Sequence, residues 1–311
     1  MNIVVNTYHI VVFITSIIFF VSCSAKKSKP QSYGAANSVF VVGDTDSLIY
    51  SELSKSIIGL PQSEPALDVK YISEKNLVIN NYLYRNIVIL KFDSLKYKRI
   101  AIWRKDNIYA APQTIFLITS PTKKAFKSLA SKYGSLIRNS IQQTELQYIQ
   151  KNIKIYHNVE AENIIKKEFN VNVFVPNDLT LLKRGKNFIW LSNNSASAMV
   201  NMCFYVIKNK NFVHQRDSVM KINILGEQNG MYMVTKSVLD TMYQKGKISK
   251  VCGLWEMRND AMGGPFISYL KYGTNVKNRI IVGEAFIFAP GKKKRDKMQR
   301  LEAALKMSFT N

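Results

Sequence analysis

The chain has 311 residues, 47% of them hydrophobic, and its 44 Lys and Arg against 21 Asp and Glu give a net charge of +23. This length supports one large domain or two smaller ones, and the charge favours anionic partners, although the Lys-rich usage of an AT-rich genome explains it equally well. Its three His and three Cys form no metal-ligand cluster at a recognised spacing, and no Gly-rich phosphate loop occurs, so we expect no cofactor.

Residues 1–22 have the layout of a secretory signal peptide. An apolar run from Ile10 to Val21 ends in the small residue Ser22, although no Lys or Arg precedes it. Cys23 follows at once, and the sequence FVSC is similar to the lipobox of bacterial lipoproteins. We therefore expect a diacylglycerol on Cys23 and a further acyl chain on its new amine, because one chain anchors a protein only marginally. An uncleaved membrane helix is the alternative.

Export determines which partners and location we expect. An exported chain does not meet nucleic acid, so the expected anions are lipid headgroups or an acidic envelope protein. Residues 23–37 are polar, basic and contain Pro and Gly, which predicts a flexible tether. Lipoproteins of the cell surface tend to carry acids after the Cys, whereas Lys26, Lys27 and Lys29 follow here. We therefore predict a protein held by lipidated Cys23 on the periplasmic side of the outer membrane.

Residues 38–150 are predicted to form an N-terminal α+β half. A buried strand, NSVFVVGD, precedes a helix from Thr45 to Leu60 that has apolar residues at helical spacing. Four strand-like runs follow: ALDVKYIS, RNIVILKF, KRIAIWRK and QTIFLITS. From Pro121 to about Asn170 the chain is predicted to be helical and to link the two halves.

Residues 151–311 are predicted to form a C-terminal α+β half. A helix is predicted near His214 to Ile224 and an amphipathic helix at the end of the chain. The strand-like runs are VNVFVP, NFIWLSN, MVNMCFYVI, GMYMVTK, VCGLWEMR, PFISYLKY and RIIVGEAFIF. Because strands cluster between helices, the sequence predicts an α+β fold of two sheet-containing halves, with mostly antiparallel sheets flanked by helices. Each half runs from a Trp through strands and a Pro into a basic helix, so a divergent internal duplication is a further hypothesis.

Two cysteines remain after Cys23, each within an apolar strand-like run. Cys203 lies in VNMCFYVI and Cys252 in KVCGLW. Buried free thiols are the expected state of both residues. An oxidising compartment would also permit one disulfide between them.

Several segments carry a family resemblance: NSVFVVGD, GLP, APQTIFLI, NFIWLSN, NGMYMVTK, GLWEMRNDAMGGPFISY and EAFIFAPGKKKRDKMQRLEAAL. Through them the chain resembles a family of Bacteroidetes envelope lipoproteins that is known as a domain of unknown function. The segments WEMRND and MGGPF are the most specific of these. The resemblance implies a lipid-anchored envelope protein, and it brings no reaction, cofactor or catalytic residue with it.

One enzyme hypothesis starts where the first strand ends, at Asp44 and Asp46. A strand followed by Asp-x-Asp is similar to the first motif of haloacid-dehalogenase-type phosphatases, in which one Asp attacks phosphorus. Thr119 or Ser120 would then bind phosphate, and Lys123 or Lys124 would neutralise it. No later strand ends in the acidic pair that Mg²⁺ needs, so capping of the helix around Tyr50 is the simpler interpretation.

The motif GLWEMRNDAMGGPF concentrates reactive residue types, but strand alternation divides them. Trp255 and the following Met are predicted on one face of a strand, and Glu256 and Arg258 on the other. Residues 259–264, which include the candidate Asp260, would form a hairpin turn in which the Gly pair adopts turn conformations. The motif therefore predicts a hairpin with a polar corner, and its charged pair is a candidate site.

Glu284 alternates in phase with apolar residues in RIIVGEAFIF, which predicts a buried face. Because an unpaired buried charge is very costly, Glu284 needs a partner, and we predict Arg258, with Glu256 near a Lys. One interpretation is an ion pair that fixes strand register. The alternative is that Glu256 and Glu284 are a carboxylate pair for glycan hydrolysis.

A basic run stands at the start of the last helix. Cations are unfavourable at a helix N-terminus, so a bound anion, such as the phosphate of a lipid headgroup, would offset their cost. A solvated charged face is the alternative. The residues of this candidate anion- and membrane-binding run are Lys292, Lys293, Lys294, Arg295 and Lys297.

Binding or scaffolding in the periplasm through a basic surface is the function that these features favour. The alternative is an envelope hydrolase, phosphatase-like with Asp44 and Asp46 or glycan-cleaving with Glu256 and Glu284. A deep cleft with convergent acids would favour the hydrolase. A flat or grooved basic surface would favour binding.

Overall fold

The computed structural model describes residues 28–76, 78–208, 211–273 and 279–310. The predicted leader and the predicted lipidation site, Cys23, lie outside these residues. Each half of the described chain contains one sheet. No helix in the described ranges is long and apolar enough to cross a membrane.

The first half contains a five-stranded sheet in the order β2-β1-β3-β5-β4. Its strands are β1 (Ser38–Val42), β2 (Asp68–Ile72), β3 (Asn86–Phe92), β4 (Ala101–Asp106) and β5 (Thr114–Ser120). One face carries alternating apolar residues that pack under three helices. These helices are α1 (Tyr50–Leu53), α2 (Lys123–Lys127) and α3 (Ala130–Ile155).

The second half contains a seven-stranded sheet in the order β6-β7-β8-β12-β11-β10-β9, and each of its pairings is antiparallel. Its strands are β6 (Leu181–Gly185), β7 (Phe188–Ser192), β8 (Met199–Lys208), β9 (Met233–Gln244), β10 (Lys247–Met257), β11 (Gly263–Tyr272) and β12 (Arg279–Phe288). Its helices are α4 (Val159–Phe169), α5 (Phe212–Asn223) and α6 (Arg295–Phe309). Helices α4 and α6 cover one face, and α5 covers part of the other.

The predicted α+β fold of two sheet-containing halves is confirmed. Seven pairings of the two sheets are antiparallel and three are parallel. The parallel pairings all lie in the first sheet, where long connections between successive strands allow the chain to return in the same direction. The two sheets therefore differ in strand number, order and direction, and the internal duplication hypothesis is wrong.

Two local predictions also differ from the structure. Only Tyr50–Leu53 of the predicted helix from Thr45 to Leu60 is helical, because the chain beyond it pairs with a later segment. The Ile57 amide donates to the Glu64 carbonyl at 3.0 Å, so this amide does not form a helical hydrogen bond. The predicted strand VNVFVP forms no ladder, although its valines are buried, and strand β6 was not predicted.

Residues 30–33, predicted as part of a flexible tether, pair with the first half. The Ser32 amide donates to the Ala111 carbonyl at 3.3 Å, and the Tyr33 amide donates to the Leu83 carbonyl at 3.1 Å. The Tyr33 ring also contacts the edge of the Tyr84 ring, with 5.1 Å between centroids. The chain therefore joins the first half by residue 30.

Candidate ligand-binding site

The motif that the sequence singled out forms the β10–β11 hairpin. The Met257 amide donates to the Met262 carbonyl at 2.8 Å, and Asn259 takes the left-handed conformation in the turn, with φ 62°. The Gly pair belongs to strand β11 and not to the turn, which corrects the prediction. A Cβ atom at Gly264 would collide with the Ile287 carbonyl, so the absent side chain allows close strand packing.

Strand alternation divides the motif as predicted. Trp255 and Met257 are buried in the core under α5, and the Trp255 indole donates to the Ile287 carbonyl at 3.3 Å. Glu256 points away from this core and pairs with Lys236 at 3.3 Å. Asp260 is exposed in the turn and accepts the Ala261 amide at 2.6 Å.

The apolar side of the hairpin borders a pocket of about 530 Å³. The pocket opens between the sheet and residues 224–231, which connect α5 to β9, because α5 covers only part of this face. Most lining side chains are methionine or aromatic: Trp190, Met199, Met231, Met233, Trp255, Met257, Met262, Phe286 and Phe288. We call this cavity the methionine–aromatic pocket.

The chemistry of the methionine–aromatic pocket suits an apolar ligand. Methionine is flexible and polarisable, so it adapts to irregular apolar shapes. Both indole N–H groups are already satisfied, because Trp190 donates to Asn201 at 2.9 Å and Trp255 donates to the backbone. Polar groups stand among the lining residues at Glu227, Gln228 and Asp260, all of which are exposed. A volume of this size with few polar groups is typical of small-molecule sites.

Glu284 is buried as predicted, but its partner is Arg216 of α5. Arg216 Nη2 lies 2.7 Å from Glu284 Oε1, and Arg216 Nε lies 3.0 Å from Oε2. Tyr205 and Ser268 each donate a hydroxyl to Oε2 at 2.8 Å. The predicted partner, Arg258, lies over the Tyr232 ring instead, at 5.8 Å from the centroid. Arg258 follows β10 at the exposed corner, where it cannot reach the interior.

The electrostatics of this network are those of a closed interior cluster. Burial and the charge of Glu284 together raise the pKa of Tyr205 well above its ordinary value. Burial alone would lower the pKa of Arg216, but the Glu284 carboxylate outweighs it and raises that pKa. The Arg216 guanidinium therefore stays protonated across the physiological pH range and forms a buried ion pair with Glu284.

Glu256 and Glu284 do not converge on a shared cleft. Glu284 lies on the face under α5, in register with buried neighbours, whereas Glu256 lies on the opposite face of the sheet. Hydrolysis of a glycan by two carboxylates requires both groups to flank one bond. The arrangement of these two residues does not meet that requirement.

Asp44 and Asp46 have different local roles. The carboxylate of Asp44 is buried and accepts the backbone amides of Leu48 at 2.8 Å and Ile49 at 3.2 Å, just before α1. Asp46 is exposed and pairs with Lys123 at 2.8 Å. Asp44 therefore anchors the turn that leads into α1, although the N-cap of α1 is Ile49 without a side-chain cap, and its oxygens already accept hydrogen bonds.

The basic run at the start of α6 meets an anion from within the chain. The Glu64 carboxylate accepts the backbone amides of Lys294 at 2.7 Å and Arg295 at 3.0 Å. Both side chains are buried between the two halves, where Arg295 pairs with Asp68 at 2.7 Å. The helix N-terminus that was predicted to bind a lipid phosphate is thus occupied by Glu64, and Lys294 and Arg295 are not available to a membrane.

The remaining cations of the run lie at the edge of this junction. Lys292 and Lys293 are exposed, and Lys297 is partly buried. Lys293 Nζ lies 3.7 Å from Asp68. The run therefore contributes mainly to the contact between the two halves, and only part of it is exposed as a basic surface.

A cleft of about 390 Å³ lies between the two halves. Among its lining residues the only carboxylate is Glu302, which pairs with Lys250 at 2.6 Å and accepts the Tyr269 hydroxyl at 3.0 Å. Burial would lower the pKa of Lys250, but Glu302 outweighs it and raises that pKa. The cleft thus lacks the convergent acids that would favour the hydrolase.

Cys203 and Cys252 are both buried free thiols, as expected. Cys203 belongs to the core under α5, and Cys252 belongs to the core on the opposite face of the same sheet. Two side chains on opposite faces cannot form a disulfide. The described residues contain no group of three or more His, Cys, Asp or Glu that could hold a metal ion.

The sequence did not predict the methionine–aromatic pocket, although it placed two of the lining residues on one strand face. The hairpin residues Trp255 and Met257 were placed on the correct face, but the opposing residues Trp190, Met199 and Met231 were not recognised. A usable signal was present, because several methionines and two of the three Trp residues fall in the second half. Whether these side chains come together depends on the order of the strands in the sheet, which the sequence alone does not specify.

Two family models match the chain, one over each half. The model described as Domain of unknown function (DUF8532) matches residues 32–154, and the one described as Domain of unknown function (DUF4837) matches residues 158–307. No curated protein and no solved structure matches the chain significantly. The two matches meet at the end of α3, and the second one contains the methionine–aromatic pocket.

Proposed function

We propose that this chain is a lipid-anchored protein of the cell envelope that binds an amphipathic ligand in the methionine–aromatic pocket. The observation that carries the proposal is the pocket itself, where partly open Met, Trp and Phe side chains face a cavity of about 530 Å³. Large apolar side chains left open to solvent are costly unless something covers them. An apolar chain would fill the pocket, and its polar head would contact Glu227, Gln228 or Asp260.

The anchoring part of the proposal is supported by the sequence FVSC and the apolar run before it. We propose that Cys23 is acylated and that the protein is held on the periplasmic side of the outer membrane. Mass spectrometry of the first peptide of the mature protein tests this directly. The expected result is a lipidated Cys23 at the amino terminus, and a Cys23→Ser protein that matures normally would contradict it.

The binding part is tested by titrating the purified protein with lysophosphatidylcholine, because its cationic choline suits the carboxylates of Glu227 and Asp260, whereas the carboxylate of a fatty acid would be repelled. Trp190 and Trp255 line the pocket, whereas Trp103 lies in the other half, so a Trp103→Phe background isolates their fluorescence. Trp190 is only partly buried, so filling the pocket replaces water around its ring, and we expect a blue shift that saturates with ligand, whereas buried Trp255 should change little. A titration without any saturable change would contradict the proposed ligand class.

A matched pair of methionine substitutions tests whether the ligand binds in this pocket. Met262 lines the cavity and is partly exposed, so Met262→Gln should lower affinity without unfolding the protein. Losing one apolar contact surface costs about 1–2 kcal/mol, or roughly 5- to 30-fold in Kd. Met242 on β9 is 52% exposed and lies outside the pocket, so Met242→Gln is the control. Equal affinities in the two variants would place the ligand elsewhere.

A further inference from the structure

One face of the first sheet lacks the cover that a parallel sheet normally has. Parallel strands are usually buried on both faces, because connecting helices pack against each of them. Here α1, α2 and α3 pack on one face, whereas no described helix as long as α3 packs on the other, where the segment around Tyr84 covers a part and buries Val42, Ile87 and Ile115. We call this second side the open face.

Strand register arranges the open face as apolar rows with basic ends. One row runs across all five strands through Ile72, Val42, Ile89, Leu117 and Trp103. The neighbouring row has apolar residues at its centre and ends in Lys70 and Lys105, and both of these Lys are exposed. Lys91, also exposed, follows Ile89 on the same side of β3. Val42 and Ile87 in these rows are buried, so the part that stays open is the end around Leu117 and Trp103, which Lys91 and Lys105 border.

Large apolar side chains on the open face remain in solvent. Trp103 is 60% exposed, Tyr109 is 48% exposed and Ile108 is 40% exposed. Together with Leu117 and Lys105 they border a shallow groove of about 620 Å³. An aromatic ring beside aliphatic residues, with Lys at the border, is the combination found where proteins contact the interface of a bilayer.

The start of the described chain lies at one end of the open face. The Ala111 amide donates to the Pro30 carbonyl at 2.9 Å, and Lys29 donates to the Asn107 carbonyl. These contacts adjoin Ile108 and Tyr109 of the groove. Cys23 precedes Ser28 by five residues, which span at most about 18 Å when fully extended. A lipid on Cys23 would therefore hold the bilayer close to this end of the face.

We propose that the open face docks onto the bilayer surface that holds the lipid anchor. Trp103 and Tyr109 enter the headgroup region, and Lys70, Lys91 and Lys105 contact anionic headgroups. The inference rests on the proposed anchor for its geometry, but it concerns a different surface from the methionine–aromatic pocket. It also differs from the predicted membrane contact at the start of α6, where Lys294 and Arg295 are buried.

The test uses the full protein, purified with its membrane anchor and reconstituted into vesicles of phosphatidylcholine and phosphatidylglycerol. Co-flotation with the vesicles reports the anchor, and quenching of Trp103 by brominated acyl chains reports docking. We expect both, and a Trp103→Phe variant should float equally while losing the quenched fraction. Flotation without quenching of Trp103 would overturn docking and leave the anchor intact. Failure to float would overturn the anchor and docking together.

A charge-reversal pair supplies the matched control. Each Lys near an anionic surface contributes about fivefold to the equilibrium constant of docking, so Lys91→Glu with Lys105→Glu should lower that constant by more than about 25-fold. Lys124→Glu with Lys127→Glu makes the same charge change on α2, which covers the opposite face, and should leave quenching unchanged. Equal loss in both pairs would overturn docking through the open face. If Trp103 resists an aqueous quencher without vesicles, the chain itself or a second copy covers the face, and the proposal is wrong.

Discussion

Arg216 and Glu284 lie side by side in the interior of the second half, with 2.7 Å between Nη2 and Oε1 and neither side chain exposed. They come from α5 and β12, and Thr235 and Asp217 accept further hydrogen bonds from Arg216, while Tyr205 and Ser268 donate to Glu284. No described buried side-chain N or O atom lacks a partner. The pair thus fixes α5 on the sheet, and α5 in turn limits the extent of the methionine–aromatic pocket.

Breaking this pair should destabilise the second half strongly. Glu284→Gln leaves the buried Arg216 guanidinium with only the longer contact to Asp217, at 3.4 Å, as a countercharge, and should cost about 3–5 kcal/mol. Replacing both residues, as Arg216→Met with Glu284→Leu, should cost less than the sum of the single changes, because neither charge is then left alone. Urea unfolding followed by Trp fluorescence measures these differences.

The exposed pair of Glu256 and Lys236 is the control for that experiment. Their side chains are 44% and 60% exposed, so solvent screens their attraction. Glu256→Gln should therefore change stability by less than about 0.5 kcal/mol. If Glu256→Gln destabilised the protein as much as Glu284→Gln does, burial would not explain the cost of Glu284→Gln.

The period of two in strands predicted which face of the sheet several residues near the site occupy, but not the pocket itself. Alternation placed Trp255 and Glu256 on opposite faces and Glu284 inside, because side-chain direction is a local property of a strand. The partner of Glu284 was not predicted, since Arg216 lies 68 residues away. A signal existed, because Phe212, Arg216 and Met220 recur every four residues on one helix face. An Arg in that apolar stripe needs a buried acid.

Features that depend on contacts between the halves were not predictable in this way. The amphipathic helix α6 was predicted, but the anion at its N-terminus was expected to be the phosphate of a membrane lipid. That anion is the carboxylate of Glu64, which lies 230 residues away in the sequence. Neither the open face nor the parallel pairing of the first sheet has a local signature, because both depend on which strands become neighbours.

The different roles of Asp44 and Asp46 predict different effects on stability. Asp44→Ala removes the acceptor of two backbone amides before α1, which should cost about 1–2 kcal/mol. Asp46→Ala removes an exposed pair with Lys123 and should leave the urea midpoint essentially unchanged. A larger effect from Asp46→Ala, or phosphate ester hydrolysis that either change abolishes, would contradict these roles.

Acid should weaken the junction between the two halves through Asp68. Its partial burial would raise the pKa, but Arg295, helped by Lys293, outweighs burial and holds the pKa of Asp68 below its ordinary value. A lowered carboxyl pKa contributes stability above the unfolded value of about 3.9, and this contribution is lost as pH falls through the folded value. We expect the stability of the wild-type protein to fall more steeply below about pH 4 than that of Asp68→Asn. Parallel curves would show that this ion pair contributes nothing to the junction.

Cys252 provides a probe of the cleft between the halves. It is 8% exposed, and burial raises its pKa to about 11, whereas Cys203 is fully buried. Only the thiolate reacts, so alkylation of Cys252 by iodoacetamide at neutral pH should be roughly 300-fold slower than that of an ordinary thiol. Its rate should rise about tenfold per pH unit up to about pH 10, provided that the protein stays folded.

Peptide mapping follows each cysteine separately, so Cys203 serves as the internal control. We expect Cys203 to react only when the second half unfolds, because it lies inside the core under α5. The Glu302→Gln variant should make Cys252 more reactive, since removing that carboxylate leaves the Lys250 ammonium unpaired beside the thiol and favours the thiolate. Equal reactivity of the two cysteines in the folded protein would contradict the closed packing of the core, and an unchanged Cys252 rate in Glu302→Gln would exclude this electrostatic coupling.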